Sequence, residues 1–200
     1  MPMLGAHMTG TIIGTMTAAG LIGTSVPSFA MAVGDGSITP IIGAPFTTTD
    51  IGTVPGAGVG TGVGLTGPVD SLIAQAIFVG LVSKFGSAGD SLLDITDSVA
   101  GAFVAELALA TLTSTHTPVF AGSGTIVVGS ISVPASAIAD MIEQSGVASG
   151  FLGDSWPDIA EVVGQEFSSG LALATGSVVI AGAPTGTPAP GAGTGSGSIS

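Results

Sequence analysis

The two histidines are the residues of this chain best suited to acid–base or metal chemistry. His7 lies in an uncharged N-terminal stretch, and His116 lies in the segment TSTHTPVF. A histidine acts as a ligand or a general base only when a partner group is in reach. Neither histidine has other ligand residues clustered beside it in sequence. Both are therefore predicted to be solvated or interface residues, and an enzyme would need an Asp or Glu folded against His116.

Carboxylates are the second group that could do chemistry, and they cluster at two predicted helix starts. The clusters are Asp90, Asp94, Asp97 and Asp154, Asp158, Glu161. Recurrence at capping positions favours a structural role over acid–base catalysis. Asp140 and Glu143 lie one helical turn apart, without the spacing of a calcium loop. The sequence thus predicts no catalytic residue, no metal site and no cofactor, and the protein is predicted not to be an enzyme.

Glycine-rich segments can bind the phosphate groups of nucleotides when the surrounding residues fit. GAGVGTGVGLTG matches a dinucleotide fingerprint loosely, but a polar, Pro-containing segment precedes it and no acidic ribose partner is well placed. Lys84 follows no Walker-type loop, and a G-x-S-x-G motif is missing. With no cysteine, the chain has no thiolate ligand and no thiol nucleophile.

The carboxylate clusters belong to a block that occurs twice. Residues 89–111 are GDSLLDITDSVAGAFVAELALAT, and residues 153–175 are GDSWPDIAEVVGQEFSSGLALAT, with 12 of 23 positions identical. Each block has an S-x-x-D capping pattern, at Ser91 and at Ser155. Each has apolar residues at every fourth position, which predicts a helix with one apolar stripe. The stripes are Ile95, Val99, Phe103, Leu107 and Ile159, Val163, Phe167, Leu171.

A Gly-, Thr- and Val-rich arm follows each block, and a weaker third copy precedes them. In that copy FAMAV, at 29–33, is aligned with LALAT. The pattern predicts an α+β fold of repeated helix–loop–helix plus extended-arm units, with arms pairing with neighbouring subunits. The predicted domains are 1–67, with an apolar helix and the first arm, 68–134, with a helical pair and the second arm, and 135–200, with a helical pair and the C-terminal arm. The Gly- and Pro-rich tail, 184–200, is predicted to be held by a neighbouring subunit.

Composition excludes several classes of partner. The chain has 1 Lys+Arg, 13 Asp+Glu and a formal net charge of −12. Direct nucleic-acid binding by charge is therefore excluded, because phosphates are gripped mainly by Lys and Arg. Charged residues are only 7% of the chain, and the mean hydropathy is +0.78. Such a surface is poorly protected against association, which favours self-association and contacts with other proteins.

The uncharged stretch 9–34 is long enough to span a bilayer. It lacks flanking bases and is rich in Gly, Ser and Thr, so a buried helix or an assembly contact is the favoured interpretation. The alternative hypothesis is a membrane-associated or cell-surface assembly protein that is anchored by this segment.

A Cys-free, Arg-poor chain with GDS…LALAT repeats and PGAG-type arms resembles the small structural proteins of tailed-phage particles. The resemblance is to components of the tail, the baseplate or the head–tail junction. It implies a non-enzymatic structural subunit that makes inter-subunit contacts through its arms. It also implies a virion location, with assembly in the host cytoplasm and other structural proteins as partners.

Overall fold

A computed structural model describes most of the chain as helices and strands. The residues it describes are 2–38, 45–53, 58–63, 70–85, 90–116, 121–126, 131–150, 153–174, 176–181 and 190–199. The helices in these ranges are α1 Pro2–Ala18, α2 Val26–Ile38, α3 Asp70–Phe85, α4 Asp90–Leu109, α5 Ala135–Ala148 and α6 Ser155–Ala172. The strands are β1 Pro45–Thr53, β2 Gly58–Val63, β3 Thr111–His116, β4 Ala121–Ile126, β5 Ile131–Ser132, β6 Gly176–Ala181 and β7 Pro190–Ile199.

The chain divides into two compact units, each drawn from three separate segments. The helical unit comprises 1–41, 68–106 and 134–170. The strand unit comprises 42–67, 107–133 and 171–200. Each compact unit contains residues from all three predicted domains, 1–67, 68–134 and 135–200. The boundaries of those domains describe the sequence repeat and stay a prediction.

The second helix of each helical pair buries the same pattern of positions. The buried sets are Ala30, Ala32, Val33, Gly34, Gly36, Ser37 in α2, then Thr96, Ser98, Val99, Ala100, Ala102, Phe103 in α4, then Ala160, Val162, Val163, Gly164, Glu166, Phe167 in α6. The sets are offset by 66 and then by 64 residues. The predicted stripe is confirmed at three of its four positions in each helix, since Val99, Phe103 and Leu107 are buried, and so are their counterparts in α6, whereas Ile95 and Ile159 are half-buried. The rings of Phe103 and Phe167 stack with centroids 3.6 Å apart.

The first helix of each pair buries every fourth residue. The buried trios are Met8, Ile12, Met16 in α1, Ile73, Ile77, Leu81 in α3 and Ile138, Ile142, Gly146 in α5. Small residues allow some of these helices to cross closely. A Cβ added at Gly36 would lie 2.8 Å from the backbone nitrogen of Ile77, so the contact of α2 with α3 requires glycine there.

The strand unit is one antiparallel sheet that closes on itself. Three hairpins, β1–β2, β3–β4 and β6–β7, are joined by the pairs β2–β3, β4–β6 and β7–β1. The short strand β5 adds to β3 through Thr111↔Ser132 and Leu112↔Ile131. Each of the six longer strands is therefore paired on both edges, which satisfies backbone groups that would otherwise attract another chain.

Glycines stand opposite two residues of this sheet whose side chains are buried. In β3, Leu112 is buried, whereas Thr111 and Thr113 are exposed. Leu112 stands opposite Gly62 of β2, and the buried Thr48 stands opposite Gly195 of β7. Because side chains alternate between faces, every second residue from Gly191 to Gly197 shares the face of Thr48.

The prediction of an α+β fold with arms for neighbouring subunits is wrong. The described structure is mostly helical, and its helices gather in one unit. The arms pair with one another within the chain, including the tail, where β7 lies between β1 and β6. Pairing within one chain costs only loop closure, which grows slowly with loop length, and it uses the edges of the six longer strands that were expected to pair with a neighbour.

Two smaller expectations also change. FAMAV lies inside α2 and matches residues 95–99 by burial, so its alignment with LALAT is wrong. The stretch 9–34 forms parts of α1 and α2, which are separated at Gly20, whose φ is +81°. Among the described residues, none of the helices combines the length and the apolarity required to cross a membrane.

Candidate functional site

An apolar cavity of about 400 Å³ opens in the helical unit. Its walls come from the end of α1, the loop 19–25, the start of α2, the end of α3 and the first turns of α4 and α6. The volume falls within the range of ligand pockets. The lining residues are Met16, Leu21, Ile22, Gly23, Ser25, Val26, Phe29, Leu81, Leu92, Ile95 and Ile159.

Three of the lining residues occupy equivalent positions in the three repeats. Phe29, Ile95 and Ile159 each directly precede the buried set of their helix by one residue, and each is half-buried. The cavity is therefore formed where the corresponding ends of α2, α4 and α6 converge. The other walls are also equivalent in the first two repeats, as Met16 corresponds to Leu81 and Val26 to Leu92.

The third repeat departs from this pattern, and the departure leaves the cavity open. Gly146 replaces the large residue of the other first helices, and Trp156 stands where Val26 and Leu92 stand. The indole ring covers Gly146, since an added Cβ would overlap the ring atoms Cε2 and Nε1. The indole Nε1 donates a hydrogen bond of 3.2 Å to the carbonyl oxygen of Glu143. Trp156 thus packs on α5, and Ile159 is the only residue of α6 among those that line the cavity.

The chemistry of the cavity suits apolar contact. Ser25 carries the one polar side chain among its lining residues. Ile22 belongs to the loop at its edge and is 82% exposed. An exposed isoleucine beside an apolar concavity is the kind of feature that marks an interaction site. Apart from the hydroxyl of Ser25, the lining side chains are apolar, so the cavity is suited to binding an apolar group.

A second concavity, of about 430 Å³, lies between α5 and α6 and is acidic. Its carboxylates are Asp140, Glu143, Asp158 and Glu161. The amide Nε2 of Gln165 donates a 3.0 Å hydrogen bond to Glu161 Oε1. Within the part of the chain that the structure describes, no group of three such side chains is arranged closely enough to hold a metal ion.

The histidines and carboxylates singled out in the sequence lie in helices, at helix starts and at the end of a strand. His7 lies in α1 and His116 is the last residue of β3, but their side chains fall outside the described part of the structure. The same holds for Asp90 and Ser91, at the start of α4. Helix α6 begins at Ser155, so Asp154 precedes the helix and Asp158 lies in its first turn. Its carboxylate therefore stabilises the positive end of the helix, as the capping pattern predicts.

Sequence reasoning missed a buried carboxylate. Glu166 is 9% exposed and accepts a 2.9 Å hydrogen bond from the hydroxyl of Thr15. The corresponding positions of the other repeats hold the small residues Gly36 and Ala102. A carboxylate at a position where the other copies have only a hydrogen or a methyl group is the signal that could have found it. The cavity itself had no such signal, because its lining comes from four separated segments.

Comparison with known proteins gives this chain no relative, since no protein-family model, no curated protein and no solved structure matches it.

Proposed function

We propose that this chain is a non-enzymatic structural subunit of a large protein assembly, a tail or baseplate component of a virion. Its partners are other copies of itself and other structural proteins of the same particle. Such a subunit would assemble in the host cytoplasm and be found in the virion.

The observation that supports this proposal is the apolar cavity with Ile22 exposed at its edge. A folded chain gains free energy when a partner covers exposed apolar surface, at roughly 25 cal/mol per Å². The lining of the cavity is apolar except for Ser25, so its walls are suited to docking. The strands pair within the chain, and the contacts are therefore assigned to the helical unit.

A second apolar surface on α3 supports the same proposal. Leu72 and Val79 are seven residues apart, which places them on one face of the helix. They are 55% and 59% exposed. Scattered exposed hydrophobic residues are normal, but two large ones on the same helical face add to the surface available for contact.

The test is the mass of the purified, detergent-free protein by light scattering, with negative-stain images of the same fraction. A discrete ring, tube or higher oligomer, formed alone or with other proteins of one particle, is expected. The matched variants are Ile22→Ser, at the cavity edge, and Leu93→Ser, which is 46% exposed on α4 but outside the cavity. Assembly should weaken only in the first. A parent chain that stays monomeric and joins no other protein of the particle would overturn the proposal.

A further inference from the structure

We infer that Asp50 and His116 form a charge pair on the inner face of the closed sheet, and that this pair makes the sheet sensitive to pH. The pair belongs to the strand unit, so it is independent of the docking proposed for the helical unit.

Asp50 and His116 are the only titratable residues in the seven strands that the structure describes. Asp50 lies in β1, and His116 is the last residue of β3. One is an acid and the other is a base, so they carry opposite charges in mildly acidic solution. Within these strands, neither residue has another ionisable group with which to pair.

Both residues lie on the inner face of the sheet. That face is identified by Thr48 in β1 and Leu112 in β3, whose side chains are buried. Residues that are an even number of positions apart along a strand share a face. Asp50 follows Thr48 by two positions, and His116 follows Leu112 by four. Both therefore belong to the same face as these buried residues.

One strand, β2, lies between β1 and β3, and it carries glycine at the positions concerned. Asp50 stands opposite Gly60, which stands opposite Ser114 on its other side. His116, two residues after Ser114, stands opposite Gly58. Because glycine has no side chain, β2 places no side chain between the two residues. Neighbouring strands are about 4.8 Å apart, so two strand spacings, about 10 Å, separate β1 from β3.

Asp50 and His116 also occupy equivalent positions in their repeats, and Ile180 of β6 is the third. The spacings are 66 and 64 residues, the same offsets that relate the buried sets of the helices. Each of the three stands opposite a glycine of a neighbouring strand, namely Gly193, Gly58 and Gly122. Strands of a closed sheet tilt against its axis, so equivalent positions of the three hairpins lie at one level. Asp50 and His116 therefore share a level of the sheet.

A charge pair accounts for two ionisable residues at this level. A lone ionised carboxylate on an inner face is costly, whereas an opposite charge nearby favours the charged form of each partner. A metal site agrees less well with the residues, because zinc sites in proteins use at least three protein ligands. The third equivalent position holds Ile180, which has no ligand atom.

The pair stabilises the sheet only while the aspartate is ionised and the histidine is protonated. A nearby carboxylate raises the pKa of a histidine above about 6.5. The stabilisation is therefore complete below about pH 6.5 and is lost as the pH rises through the higher value. In acid it is lost as the pH falls below about 4, through the lowered pKa of the aspartate. The pair should stabilise the sheet most between about pH 4 and pH 6.5.

The experiment follows the ring-proton NMR signals of the two histidines of the full chain as the pH is changed. His7 and His116 are the only histidines, and a His7→Gln variant assigns the signals. Asp50→Asn removes the partner charge, and Asp140→Asn is the matched change at an exposed aspartate of α5. Combining Asp50→His with His116→Asp exchanges the two residues and keeps the pair. Urea unfolding at about pH 5.5 and about pH 8.5 measures the stability of each chain.

We expect His116 to lose its proton at a higher pH than His7. Asp50→Asn should lower the titration midpoint of His116 by at least about one pH unit and leave that of His7 unchanged. Asp50→Asn should also lower the urea midpoint more at about pH 5.5 than at about pH 8.5, whereas Asp140→Asn should not. The exchanged chain should be more stable than the chain with Asp50→His alone, because only the exchange restores opposite charges.

Titration of His116 at the same pH as His7, unmoved by Asp50→Asn, would overturn the charge pair. If the Asp50→Asn chain does not fold, the parent still decides, because its His116 can be compared with His7 and with the same residue in urea. An exchanged chain no more stable than Asp50→His would also count against the pair. Tight binding of a divalent metal ion that His116→Asn abolishes would assign the two residues to a metal site and overturn it as well.

Discussion

Replacing Gly146 with alanine places a methyl carbon against the indole ring of Trp156. An added Cβ would overlap the ring atoms Cε2, Nε1 and Cζ2 and would lie closer to them than any relaxed non-bonded contact. The ring must therefore move by more than about 1 Å to restore the usual separation of about 3.5 Å or more. That movement threatens the 3.2 Å hydrogen bond from Nε1 to the carbonyl of Glu143.

The magnitude follows from three terms. Overpacking of a buried contact costs about 1–3 kcal/mol, and the lost hydrogen bond costs about 0.5–1.5 kcal/mol. Alanine is about 1 kcal/mol better than glycine inside a helix. The Gly146→Ala chain should therefore be less stable by about 0.5–3.5 kcal/mol.

The assay is urea unfolding followed by fluorescence. Trp156 is the only tryptophan and the chain has no tyrosine, so the emission reports this one ring. The parent emits from a ring that is 6% exposed, and the variant's emission should move to longer wavelength as the ring is displaced. The control is Gly14→Ala in α1, where an added Cβ meets nothing within 4 Å, and it should be more stable than the parent.

The same chain provides a rescue. In the second repeat, a leucine, Leu92, stands where Trp156 stands in the third. Combining Gly146→Ala with Trp156→Leu should cost less than the sum of the two single changes, because the smaller side chain leaves room for the methyl group. A Gly146→Ala chain with unchanged emission and undiminished stability would show that the indole does not rest on this glycine, and the account of the cavity would fail with it.

Three further predictions concern other contacts. Gly36→Ala should lower stability by about 1–3 kcal/mol in urea unfolding, because its Cβ would meet the backbone of Ile77 at 2.8 Å; an undiminished urea midpoint would contradict the close crossing. Thr15→Val should cost about 1.5–3 kcal/mol by removing the donor to the buried Glu166, and the control Thr17→Val, at an exposed hydroxyl, should cost less than about 0.5 kcal/mol. Removal of residues 190–200 should expose the facing edges of β1 and β6 and cause aggregation in light scattering; a soluble truncated monomer would count against the closed sheet.

Periodicity predicted the helices well where a stripe of large apolar residues marked them. Val99, Phe103 and Leu107 were expected on one face of a helix, and they are buried. The first repeat keeps a valine, Val33, at the position of Val99 but has Ser37 at the position of Phe103, so its stripe is interrupted where the other two repeats have their largest residue. Burial showed the register of this repeat, because small residues can be as completely buried as large ones when helices cross closely.

The pairing of the strands could not be predicted from the residues in them. β2 and β7 alternate glycine with Thr, Ser, Ala or Val, and such strands have little to specify a partner or a register. An open sheet between subunits and a closed sheet within one chain satisfy the same backbone groups. The cavity was equally hidden, since it depends on where Trp156 lies, and a sequence does not state on which neighbour a large ring rests.

The closed sheet of three hairpins has a consequence for how such a chain could have arisen and changed. Three separate copies of one helical pair and one hairpin would close the same sheet as a symmetric trimer. In a single polypeptide that carries all three repeats, each repeat can change independently of the other two. A substitution in a trimer appears at three places at once, whereas here Gly146 and Trp156 change the helical pair of the third repeat alone. Fusion therefore permits an asymmetric opening in an otherwise repetitive body, and a partner that docks there can bind in a single orientation.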